Sequence, residues 1–138
     1  MKLTHTTKRT AGMTLLELTV VILVLLSLIS ILFVGARAWK KGSDRAANVL
    51  NIRNIQQAAR GHANMNNLAE VTGDLDKADI VGTNGYLKEP FLPGTTSTEY
   101  TYGTKVPATG FLYADGPAAS GFQKDGPMGV KSTDIGAW

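Results

Sequence analysis

The hydrophobic and polar positions divide the chain into three stretches. Residues 13–36 are a run of 24 in which Leu, Val and Ile leave no polar face, and the 19 residues 18–36 carry no charge. As a helix this run measures about 36 Å, sufficient for a hydrocarbon core of about 30 Å. A helix apolar on every side requires lipid or other helices around it. Over 45–60 (RAANVLNIRNIQQAAR) the pattern changes: Val49, Ile52, Ile55, Ala59 and then Ala63 recur at helical spacing, with Arg, Asn and Gln on the other faces. That stripe needs a sheet or a neighbouring subunit against it. Gly61 and the Asn-rich residues 64–67 end the pattern, so one helix is predicted over 14–62, provided Gly42 does not break it.

Beyond residue 64 the apolar runs are short. The segment 73–81 (GDLDKADIV) predicts a short capped helix with Asp in its first turn. Its Asp74, Asp76 and Asp79 lack the glycine and terminal glutamate of an EF-hand loop. Runs at 85–90, 99–102 and 110–114, separated by Gly, Pro, Ser and Thr, predict three small antiparallel strands. Packed on the amphipathic helix they make an α+β head over 64–138, after an apolar helix at 13–36 and its amphipathic continuation at 37–63.

Charge changes the picture mainly at the start of the chain. Lys2, Lys8 and Arg9 lie in residues 1–12, where there is no acid, while residues 13–138 balance 11 basic against 11 acidic side chains. The net charge of +3 therefore belongs to the leading dozen residues, and a nucleic-acid partner is not expected. Cysteine is absent, which excludes a disulfide framework, a thiolate nucleophile and a Cys-ligated zinc site. His5 lies in the basic head, and His62 reads as a solvated residue favoured by the helix C-terminus. No nucleophile elbow, P-loop, dinucleotide fingerprint or metal-histidine motif occurs. The expectation is a structural protein and not an enzyme.

Glu17 is the anomaly within the apolar run. An isolated carboxylate in hydrocarbon costs about 2.5–3.5 kcal/mol on insertion scales. A secretory signal peptide, with Ala36-Arg37-Ala38 as its cleavage site, would have a shorter apolar core of roughly 7–15 residues. An ordinary single-pass anchor fits the length and leaves Glu17 without a role. Cleavage after Gly12 gives it one: Met13 then carries a positive amine, and Glu17 lies one helical turn on, able to meet that amine in its own chain or a neighbour's.

Gly12-Met13-Thr14-Leu15-Leu16-Glu17-Leu18 after a short basic head resembles the class III signal of type IV pilins and type II secretion pseudopilins. The family pattern is glycine, an N-methylated residue that is usually Phe, Thr-Leu-(Ile/Leu)-Glu and a long apolar helix; Met13 departs from the usual Phe. The resemblance implies a pilin-like fold, a leader at 1–12 removed by a prepilin peptidase, N-methylation of Met13, and assembly of a helical homo-oligomeric filament through Met13 and Glu17. Family helices often carry a proline mid-segment, whereas none occurs here before Pro90. The basic head is nearly matched by Arg37, Lys40, Lys41 and Arg45 beyond the span, offset by Asp44. The resemblance decides the orientation: leader cytoplasmic, head periplasmic, one inner-membrane span, with Trp39 at the interface.

The end of the chain resembles the major pseudopilin of type II secretion: a strand into Ala114-Asp115-Gly116, a glycine-rich loop, and a closing Asp134-Ile135-x-x-Trp138. Tyr86-Leu87-Lys88-x-Pro90 is similar to another strand of that family. In the family this loop binds calcium, which implies Asp115, Asp125 and Asp134 as metal ligands here, supplemented by backbone carbonyls or Ser132. Ser132 stands where the family has a further Asp, and residues 91–95 replace its Asp-Pro-Trp-Gly turn. Without the resemblance, Asp115 and Asp125 read as turn residues before glycine, and Trp138 as a plug for the core.

These readings lead to the expectation of a structural subunit of a type II secretion pseudopilus that assists protein export. Its implied partners are copies of itself, the prepilin peptidase, the inner-membrane assembly platform, minor pseudopilins, and lipid before assembly. A type IV pilin serving adhesion, motility or DNA uptake is the nearest alternative, and a secreted binding module cleaved after Ala38 the alternative of another class.

Overall fold

The computed structural model describes Gly12 and residues 14–135. Met13, the basic head and Trp138 lie outside the described residues. In chain order the elements are α1 (Leu15–Met65), α2 (Lys77–Ile80), β1 (Thr101–Tyr102), β2 (Ala114–Asp115), a 3-10 turn at Ala118–Ser120, and α3 (Ser132–Ile135). The chain divides into two compact units, residues 1–38 and 39–138.

In the first unit every described apolar side chain from Leu15 to Val34 is exposed. The segment is long and apolar enough to cross a membrane. Its hydroxyls are satisfied locally: Thr19 Oγ1 donates to the Leu16 carbonyl at 2.8 Å, Ser27 Oγ to Val24 at 2.7 Å, and Ser30 Oγ to Leu26 at 2.8 Å. Polar groups bonded within their own helix are tolerated where no water is available.

In the second unit α1 buries Ile52, Ile55, Ala59 and Ala63, with Val49 half-buried. That is the stripe predicted from spacing. Burying an Ile side chain contributes about 1.5–3 kcal/mol. Around Ile55 and Ala59 pack Leu75, Ile80, Val106 and Tyr113; around Ile52 pack Leu92, Tyr100, Phe122, Val130 and Ile135. Gly42 does not interrupt α1, which continues to Met65. There Asn67 adopts a left-handed φ of 52°, and the amides of Leu68 and Asn67 bond back to Ala63 (2.8 Å) and Asn64 (3.4 Å). This is a Schellman stop with Asn in place of the usual glycine.

The predicted helix at 73–81 is α2, capped by Asp76, whose carboxylate accepts from the Ala78 amide at 3.1 Å. The predicted three strands become two. Thr101 pairs with Asp115 and Tyr102 with Ala114 in an antiparallel ladder. Residues 85–90 form no strand: Leu87 exchanges bonds with Ile80 and Gly82 beside α2, making an isolated bridge to Val81. Pro90 has no N–H to extend a ladder. The head is therefore held by α1 and loops more than by a sheet.

Two positions on α1 depart from the sequence reading. The helical pattern places Asn48 and Gln56 on polar faces, yet they are 0% and 2% exposed. Asn48 Nδ2 donates to the Phe122 carbonyl (3.2 Å) and the Met128 carbonyl (3.0 Å), and its Oδ1 accepts from the Tyr100 hydroxyl at 3.0 Å. Gln56 Nε2 donates to the Phe111 carbonyl at 3.0 Å and its Oε1 accepts from the Tyr113 amide at 2.7 Å. Buried backbone groups of irregular loops need such partners, and the two amides supply what a longer sheet would have supplied.

Candidate functional site

Two regions carry the residues singled out from sequence. The first is the start of α1. The Thr14 amide donates to Glu17 Oε2 at 2.9 Å, and the Glu17 amide donates to Thr14 Oγ1 at 3.3 Å. This reciprocal pair is a capping box, and it places the carboxylate at the positive end of the helix, where an anion is favoured by about 0.3–1 kcal/mol. The Thr-x-x-Glu spacing before an apolar run is the sequence signal for it. Gly12 is exposed, and apart from its chain neighbours no described residue comes within 4 Å of where a side chain would project.

The second region is the loop from β2 to α3. Asp115 Oδ1 accepts from the amides of Gly116 (2.9 Å) and Lys124 (2.7 Å), closing the first half. Burial pushes its pKa up, and those two amides and the Lys124 charge oppose the shift. Asp125 adopts a left-handed φ of 61°, which Asp tolerates better than most residues. Its carboxylate accepts from the Ser132 amide at 2.7 Å and from the Ser132 hydroxyl. Those bonds hold its pKa below the usual carboxylate value. Asp134 pairs with Arg45 at 3.8 Å and accepts from Thr133 Oγ1 at 3.3 Å.

The three aspartates of the implied calcium site thus have separate partners. Among the described residues no group of three or more His, Asp or Glu side chains is arranged to hold a metal ion. Close packing explains why the loop is rich in glycine: a side chain at Gly129 would overlap the Gln123 carbonyl, and one at Gly126 would stand 2.6 Å from the Gly121 oxygen.

His62, read as a solvated helix-end residue, packs edge-on to Tyr86 with ring centroids 5.6 Å apart. Asp74, Asp76, Asp79 and Lys77 border a shallow depression of about 800 Å³ beside Tyr102. Lys77 there pairs with Glu89 and stands 4.8 Å from the centre of the Tyr102 ring.

No family model, curated protein or solved structure matches this chain.

Proposed function

We propose that this chain is a prepilin-like subunit, nearest the major pseudopilin of type II secretion, that polymerises through α1 into a filament rooted in the inner membrane and assisting protein export. What carries the reading is one coincidence: a basic head and Gly12 directly precede a helix of exposed apolar side chains whose first turn holds Glu17. A membrane-embedded peptidase would hydrolyse the Gly12–Met13 bond, leaving a carboxylate on Gly12 and an ammonium on Met13, which is then methylated. In the filament the neighbours' helices replace lipid around 15–34.

Glu17 has two oxygens, and Oε2 is engaged by the Thr14 amide. Its remaining lone pairs are available to an incoming subunit's Met13 ammonium, offsetting the cost of a carboxylate in hydrocarbon. Other proteins supply the peptidase, the assembly platform and the motor, and minor pseudopilins complete the assembly.

N-terminal mass spectrometry of the chain recovered from membranes tests processing. The expected start is a methylated Met13, and a start at Trp39 would replace this reading by a secreted module. Glu17→Gln separates the two roles of the side chain when compared with Thr14→Ala. We expect Glu17→Gln to be processed and to lose most filament assembly, while Thr14→Ala assembles with only modest loss. Equal assembly of wild type and Glu17→Gln would remove the pairing role.

A further inference from the structure

The loop between β2 and α3 contains its own cation. Lys131 Nζ donates to two successive carbonyls, Asp125 at 3.1 Å and Gly126 at 3.0 Å. Next to them the Asp125 carboxylate accepts from both the amide and the hydroxyl of Ser132. Across the loop, Asn48 holds the carbonyls of Phe122 and Met128. Carboxylate and carbonyl oxygens on a tight glycine-rich turn are the donor set a hard divalent cation takes, six to eight at a time. Here Lys131 and Ser132 have taken those at 125 and 126.

We propose that Lys131 is the resident cation of this loop, its ammonium closing the turn at residues 125–132 in place of a metal ion. The three hydrogens of an ammonium suit two carbonyls and leave one for water. An ion tethered to the backbone is also present at unit stoichiometry whatever the medium, whereas a diffusible ion stabilises a fold appreciably only where its concentration exceeds its Kd. The head is then stable without calcium, and the aspartates serve as turn-closing acceptors. This inference concerns the loop alone and is independent of what α1 assembles with.

The test is thermal unfolding of the full chain in nonionic detergent, with chelator and with millimolar calcium, for wild type, Lys131→Met and Lys131→Arg. Wild type is expected to melt at one temperature in both media and to take up no calcium in equilibrium dialysis. Lys131→Met is expected to melt about 4–8 °C lower in both, with Lys131→Arg between the two because it keeps the charge. A wild-type Tm that falls in chelator, stoichiometric calcium uptake, or a Lys131→Met variant as stable as wild type would each overturn the proposal. Should Lys131→Met not fold, the wild-type comparison and Lys131→Arg still decide it.

Discussion

Asn48 shows how much one side chain decides at the residue scale. Its amide satisfies two loop carbonyls and one phenol at once, so truncation leaves the Phe122 and Met128 carbonyls without a donor and the Tyr100 O–H without its acceptor, although Asn51 still donates to the phenol oxygen. We expect Asn48→Ala to lower stability by about 2–4 kcal/mol, read by urea unfolding in detergent. A loss under half a kilocalorie would mean that water replaces the amide. Asp125 gives a pH-dependent test. Its pKa is lowered in the folded chain, so its contribution is present above the ordinary carboxylate pKa and fades as pH falls through the lowered one. Asn also tolerates a positive φ, which makes Asp125→Asn a backbone-neutral replacement. The variant should melt below wild type at neutral pH, and the gap should close on acidification; a gap that widens in acid refutes the assignment.

At the scale of elements, α1 was the most legible part of the sequence. Its apolar run and its stripe at 49, 52, 55, 59 and 63 follow from helical period, whereas its continuity through Gly42, conditional in the sequence, is a finding of the fold. The Thr14–Glu17 box is legible too, from the Thr-x-x-Glu spacing ahead of an apolar run. Beyond its own helical turn, Gly42 has no atom within 4 Å of where a side chain would project, so Gly42→Ala should raise helix stability by about 0.5–1 kcal/mol. Circular dichroism melts of the full chain check this, and a destabilised variant would show that Gly42 has a neighbour in the assembled state. The β elements were overestimated. Alternating Tyr, Leu and Thr between turn residues suggested three strands, but a strand forms only where a partner edge lies within reach. Residues 85–90 found α2 instead.

At the scale of the molecule, the buried hydrophobic residues among those described all lie at Ile52 and beyond, within the unit of residues 39–138, while the apolar side chains from Leu15 to Val34 are exposed. Residues 39–138 alone should therefore fold and stay in solution, with a sharp melting transition, whereas the full chain should remain with membranes through an alkaline wash. An unfolded head fragment would show that its core depends on the segment before it. If the proposed function is right, deleting the gene abolishes export of secreted proteins and leaves surface fibres intact. Loss of fibres with intact export would favour the type IV pilus reading.

The sequence by itself determined where the long helix runs, which stripe of it is buried, where charge is concentrated, and the absence of disulfides, because period, composition and charge are local properties. Which polar side chains turn inward, and which oxygens of the final loop are already occupied, were decided only by tertiary structure. Asn48, Gln56 and Lys131 look like any solvated polar residue in one dimension. Each found its partners on segments folded back to it, and a carbonyl left open by an irregular loop appears only once that loop has closed.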